Sequence, residues 1–178
     1  MAERNGQRTH PRTESRHANG IVTAVVVCFF LIHGLLGSFA PSVAYSQVMR
    51  VAVWVGVGLV AVHAVLSVVT SYEQLTDTEF PPSINKKRHL VLKWVTGVLL
   101  AGAVAVHVVC MRNPGAFAAV PFVPRLALAV LAAVLAWHIC VGMKSLLKDI
   151  GLSRSLRTPL RVAVCILAAL FAYAAILG

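Results

Sequence analysis

Four histidines lie in the most apolar part of this 178-residue chain, one in each of four long hydrophobic stretches. They are His33, His63, His107 and His138. A histidine inside a lipid-embedded helix is costly and by default marks a functional site. Imidazole binds haem iron and other transition metals and can also relay protons. These four side chains are therefore the first candidates for chemistry.

Hydrophobic helices must position these histidines. Hydrophobic residues make up 58% of the chain, charged residues make up 12%, and the mean hydropathy is +0.81. Soluble domains typically contain about 25% charged residues. Apolar runs near the roughly 20 residues that span a bilayer predict five transmembrane helices, at 21–40, 48–71, 90–111, 126–143 and 162–177. The connecting segments carry the helix-breaking prolines Pro41, Pro81, Pro82, Pro114, Pro121, Pro124 and Pro159.

The predicted fold is an all-α, integral membrane bundle of five transmembrane helices, residues 21–178, preceded by a polar, basic tail at 1–20. We expect the first apolar run to remain as a helix, because it is longer than the core of a signal peptide and contains His33.

Basic residues predict the orientation. Of the 16 Lys and Arg residues, all but Arg50, Arg112 and Arg125 lie at one end of the predicted helices. Cytoplasmic ends carry this excess, so the N-terminus is expected in the cytoplasm. The net charge of +10 then indicates orientation rather than nucleic-acid binding. We expect a multi-pass protein of the cell membrane of a prokaryote.

Depth sorts the histidines into two pairs. At 1.5 Å per residue from the basic ends, His63 and His138 lie on the order of 10 Å deep, and His33 and His107 about 18 to 20 Å deep. Each pair comes from helices that are diagonal in a four-helix bundle. Such an arrangement suits a flat macrocycle with one axial histidine on each face. The sequence therefore predicts two bis-histidine haems.

Small residues one turn after three of the histidines would leave room for a porphyrin. These are Gly37, Ser67 and Gly142, whereas His107 is followed by Met111. The four cysteines form no haem-attachment motif, so the haems would be non-covalent, of b type. Two alternatives remain: histidines that only form interhelical hydrogen bonds, and a zinc or copper site with three or four converging ligands.

The helix count, the histidine placement and the string from His138 through Gly142 and Lys144 to Asp149 resemble one family. It is the cytochrome b membrane anchor of succinate dehydrogenases and fumarate reductases, in its single-chain, five-helix, two-haem form. The resemblance implies that His33 with His107 bind an outer haem, and His63 with His138 an inner one. It also implies a flavoprotein and an iron-sulfur protein docked on the cytoplasmic side, and electron exchange with membrane quinone.

The basic residues near the inner haem are candidates to bind its propionates. They are Lys86, Arg88, Lys93 and Lys144. The chain departs from the family in having no Asp or Glu toward the outer side, which puts an outer quinol-oxidation site in doubt. Other possible functions are a stand-alone cytochrome b of the ascorbate-reductase type, and a haem-free small transporter or assembly protein.

Overall fold

Five long helices dominate the described part of the chain. The computed structural model describes residues 14–40, 42, 46–79, 81–120 and 122–177. We number the helices α1 (Glu14–Phe39), α2 (Gln47–Thr76), α3 (Ile84–Arg112), α4 (Phe122–Asp149) and α5 (Arg154–Leu177), and a short 3-10 helix, Pro114–Phe117, precedes α4. Within these residues, all five long helices have the length and composition to cross a membrane, as predicted.

Each helix extends beyond its predicted apolar span at the polar end. Helix α1 begins at Glu14 rather than at residue 21, so residues 14–20 form its first turns instead of belonging to a tail. Helix α4 likewise continues to Asp149 rather than ending at residue 143. Hydropathy detects only the apolar part of a helix, whereas backbone hydrogen bonding continues through polar residues that water can solvate. Residues 1–13 lie outside the described ranges.

Two prolines predicted in connecting segments lie inside helices instead. Pro124 is the third residue of α4, where a backbone N–H would have no intrahelical partner, so its absence costs nothing. Pro159 lies within α5 and removes one hydrogen bond near the start of that helix. Pro41 and Pro121 lie outside the described residues.

Local signals define several helix ends. Ser46 accepts a hydrogen bond from the Met49 N–H at 3.2 Å, and Ser83 accepts one from the Lys86 N–H at 3.3 Å; these bonds cap α2 and α3. Gly151, at φ 87°, terminates α4, and the Leu152 N–H donates to the Leu147 carbonyl at 3.1 Å. This left-handed glycine cap reverses the chain within a few residues, so α4 and α5 form a tight antiparallel pair.

Helix α4 lies at the centre of the bundle. It packs against α3, α5 and α1, while α1 also packs against α2 and α5. A hydrogen bond of 3.2 Å from Trp94 Nε1 to Ser71 Oγ connects α3 to α2. Helices α1 and α3, and likewise α2 and α4, are not among the closely packed pairs of the described residues. The buried core lies between α4 and α5 and contains Ala132, Leu135, Ile139, Met143, Leu146, Leu147, Ala168, Phe171 and Ala172.

Polar contacts bring the start of α1 to the ends of α2 and α4. Arg16 Nη2 lies 2.9 Å from Asp149 Oδ1, and the Ser15 hydroxyl lies 2.7 Å from a Glu73 carboxylate oxygen. A Cβ added to Gly20 would lie 3.0 Å from Ile150, which shows how closely α1 and α4 approach here. We call this end of the bundle the basic end, since most Lys and Arg residues lie there.

Candidate functional site

His63 is held by α1 through its Nδ1 atom. Nδ1 lies 2.8 Å from Thr23 Oγ1 and 3.1 Å from Asn19 Oδ1. The Thr23 hydroxyl donates its only proton to the Asn19 backbone carbonyl at 2.6 Å, because a carbonyl can only accept. With the hydroxyl proton directed to that carbonyl, Thr23 accepts from His63, which assigns the ring proton to Nδ1.

His138 is held in the same way by α3. Its Nδ1 lies 2.8 Å from Thr96 Oγ1, and Thr96 is fully buried. The Thr96 hydroxyl donates to the backbone carbonyl of Leu92 at 2.9 Å or of Lys93 at 3.1 Å. The hydroxyl thus accepts the Nδ1–H of His138, as Thr23 does for His63.

Both hydrogen bonds leave the second ring nitrogen with a free lone pair. A neutral imidazole protonated on Nδ1 can bind a metal through Nε2, and metal-bound histidines typically donate their other N–H to a protein oxygen. His63 and His138 therefore have the tautomer and the supporting contact of an axial ligand.

Electrostatic interactions link the four histidines in two pairs. His138 lies within electrostatic range of His63, and His107 within range of His33. Each pair joins one histidine from the α1–α2 hairpin to one from the α3–α4 hairpin. We call His63 and His138 the inner pair, since they lie nearer the basic end, and His33 and His107 the outer pair. Their role as iron ligands remains a prediction.

The contact of His63 with Thr23 relates the two levels along α1. Thr23, which contacts inner His63, precedes outer His33 on the same helix by ten residues. At 1.5 Å per residue this interval corresponds to about 15 Å along α1. Thr96 and His107 have nearly the same interval on α3. The threonine and the outer histidine are therefore separated by nearly the same distance on α1 and on α3.

The outer pair has different support. The His33 ring stacks on Phe29, with 5.7 Å between centroids and 6° between planes. His33 Nδ1 is buried without a hydrogen-bond partner among the described residues. Phe29 in turn lies against Gly56, where an added Cβ would be 2.4 Å from Phe29 Cε1. Aromatic packing thus orients His33, whereas hydroxyls orient the inner histidines.

Two of the predicted small residues border open space. A Cβ added to Gly37 or Gly142 would meet nothing within 4 Å. Ser67 instead belongs to the polar cluster around His63, with its hydroxyl 3.5 Å from His63 Nδ1. The pairing of the histidines and the free lone pairs assigned to His63 and His138 fit the ligand set of a planar, iron-containing macrocycle.

The four predicted propionate-binding residues lie in different places. Lys93 is half-buried and within electrostatic range of both inner histidines. Lys86 lies near Arg16, Asp77 and Asp149 at the basic end. Arg88 is exposed on α3, and Lys144 is exposed on α4 near His89. Of these four residues, Lys93 is the one that interacts electrostatically with the inner pair.

No group of three or more His, Cys, Asp or Glu side chains suited to a metal ion occurs within the described ranges. A bis-histidine haem needs only two protein ligands, so this finding does not bear on it. The free cysteines Cys140 and Cys165 interact with each other between α4 and α5. They contribute to helix packing rather than to either histidine pair.

The residues that support the histidines are not among those predicted from the sequence. Thr23, Thr96 and Asn19 hold the inner pair, and Phe29 packs on His33. Thr23 and Thr96 could have been found from the sequence in one way. Each is a polar residue in an apolar run, and each precedes an outer histidine by nearly the same number of residues.

Comparison of the chain with protein-family models, curated proteins and solved structures gives no match.

Proposed function

We propose that this chain is a multi-pass membrane protein, with its N-terminus in the cytoplasm, that binds two b-type haems and transfers electrons. The inner haem would be held by His63 and His138, and the outer one by His33 and His107. The observation that carries this proposal is the pairing of the histidines across two hairpins, with the Nδ1–H of both inner members bound to a threonine.

The residues of the chain have separate tasks in this function. Thr23 and Thr96 fix the ring orientation of the inner pair, and Phe29 does so for His33. Gly37 and Gly142 leave room beside the pairs. The apolar helices exclude water, which would otherwise compete with the histidines for the iron. Each haem, when bound, supplies a site that takes up and releases one electron at a time.

We further propose that the chain is the membrane anchor of a succinate dehydrogenase or fumarate reductase. It would pass electrons between a cytoplasmic flavoprotein with its iron-sulfur partner and membrane quinone. The family resemblance in the sequence supports this role, as does the mixed charge of the basic end. Arg16, Glu73, Lys86 and Asp149 lie together there and suit a polar protein surface.

An absorption spectrum of the purified chain tests haem binding. We expect two haems per chain, with Soret and reduced b-type alpha bands. His63→Ala should remove one haem and retain the other, since the outer pair is intact. His89→Ala is the matched control, because His89 belongs to neither pair. Absence of the bands would refute the proposal and favour a haem-free transporter or assembly protein.

Affinity purification from the native membrane tests the anchor role separately. We expect a flavoprotein and an iron-sulfur protein to copurify, and haem reduction to follow addition of succinate. Haem that is reduced by ascorbate in a chain without partners would instead indicate a stand-alone cytochrome b.

A further inference from the structure

Two half-buried cations, Arg16 and Lys93, lie one turn beyond the groups that hold the inner histidines. On α1, Arg16 precedes Asn19 and Thr23 at helical spacing, so all three share the face that contacts His63. On α3, Lys93 precedes the fully buried Thr96 in the same way. Each hairpin therefore directs one positive charge into the bundle, on the basic-end side of the inner pair.

The hydrogen-bonding capacity of Arg16 is only partly used. Its Nη2 pairs with Asp149 Oδ1 at 2.9 Å, and the two side chains are 11% and 16% exposed. Its Nε is buried and has no partner among the described residues. Lys93 lies within electrostatic range of both Arg16 and Asp149. One carboxylate thus faces two cations, and a buried N–H remains available.

We propose that Arg16 and Lys93 together bind a carboxylate that extends from between His63 and His138 toward the basic end. This inference rests on the proposed function, under which the carboxylate is a propionate of the inner haem. Asp149 is a positioning residue, because its ion pair holds the Arg16 side chain against the bundle. The two cations would act jointly, so that the carboxylate gains about one charged hydrogen bond only when both are present.

Haem b and its dimethyl ester differ only in their carboxylates. Comparing their affinities therefore measures what a carboxylate contact contributes to binding. We would purify the full-length chain without haem, in a His33→Ala background so that only the inner site binds, and titrate it by Soret absorbance. The unmodified inner site should prefer haem b by about tenfold, the size of one charged hydrogen bond. Lys93→Met should bind both forms equally, and Lys93→Arg should restore the preference.

Arg154→Met provides the matched control, since it removes one positive charge from the basic end at an exposed position of α5. It should retain the tenfold preference. Arg16→Met should lose this preference. Helical circular dichroism shows whether the methionine variant folds, and Arg16→Lys is titrated in its place if it does not.

The outcomes separate the two proposals. Failure of the inner site to bind either haem, with His63 and His138 intact, contradicts the proposed function. Tight haem binding with the same preference in Lys93→Met and the parent chain overturns the carboxylate site alone. Succinate that competes for the site, together with equal binding of the two haems by the parent chain, would assign the cations to a free dicarboxylate and also overturn the inference.

Discussion

A threonine hydroxyl lies 2.8 Å from Nδ1 of each inner histidine. Thr23 and Thr96 each donate to a carbonyl of their own helix and accept from a histidine of the next helix. The Nδ1–H is thereby fixed, and donation to an oxygen makes the other nitrogen a stronger ligand. Neither threonine would contact the iron. Each one holds the proton on Nδ1 and so leaves Nε2 as the nitrogen that can bind the iron.

Replacing Thr96 with valine should weaken the inner haem. Valine keeps the shape but removes the acceptor, and loss of such a supporting contact typically costs 10–100-fold in metal affinity. We expect roughly that loss for the inner haem, measured by titration in the His33→Ala background.

Thr70→Val is the matched control. Thr70 is also buried, but its hydroxyl donates to the Ser67 carbonyl of its own helix. Thr96→Ser should restore most of the affinity because the acceptor oxygen returns. Equal haem affinity in Thr96→Val and the parent chain would show that the hydroxyl does not support a ligand.

The histidines could be predicted from the sequence, whereas their partners could not. An imidazole inside an apolar run is conspicuous because burying it is costly. A threonine can satisfy its hydroxyl on its own helix, so its presence indicates little. Which neighbouring side chain it also meets depends on how each helix is rotated, and this follows from packing rather than from hydropathy.

At the scale of helices, glycines set how closely α1 and α2 approach. A Cβ at Gly56 would lie 2.4 Å from Phe29, whereas one at Gly58 would meet nothing within 4 Å. We expect Gly56→Ala to destabilise the chain by about 1–3 kcal/mol through overpacking. Because Phe29 stacks on His33, the variant should also disturb the outer haem before the inner one.

Thermal unfolding in detergent, followed by circular dichroism and haem absorbance, measures both effects. Gly58→Ala should unfold at or slightly above the temperature of the parent chain, since alanine has the higher helix propensity. Similar destabilisation by both alanines would contradict the close contact between α1 and α2.

Two thiols report on the packing of α4 against α5. The thiols of Cys140 and Cys165 interact with each other, so mild oxidation should join them in a disulfide, with their two electrons passing to the added oxidant. Both should become resistant to alkylation together, as measured by mass spectrometry. Cys28, which is exposed on α1, should remain alkylatable. Independent loss of the Cys140 and Cys165 thiols would contradict this pairing.

Helix number was easier to predict than helix ends. Long apolar runs identify all five helices of the described residues, but each helix continues into polar sequence. Pro159 illustrates the difficulty, since proline is unfavourable in a helix interior but is tolerated near this helix start. Residues 14–20 are similar, because their contacts with Asp149 and Ile150 depend on tertiary packing.

At the scale of the whole molecule, five membrane crossings would put the chain ends on opposite sides. Under the positive-inside rule, an alkaline phosphatase fused after residue 178 should be active outside the cytoplasm. The same enzyme inserted after residue 79, in the α2–α3 connection, should be inactive. Activities assayed in intact cells test the proposed orientation, and the reversed pattern would overturn it.

Each histidine pair draws one member from each hairpin, and this division has a consequence for how the molecule assembles. Neither hairpin alone contains a complete pair, and the closest packing between the hairpins is that of α4 with α1. Haem bound at both levels would therefore link the α1–α2 hairpin to the α3–α4 hairpin at two points. Ligand that binds only the joined state stabilises it by RT ln(1 + [L]/Kd). Haem supply would accordingly govern how much of the newly made chain reaches its mature form and survives proteolysis.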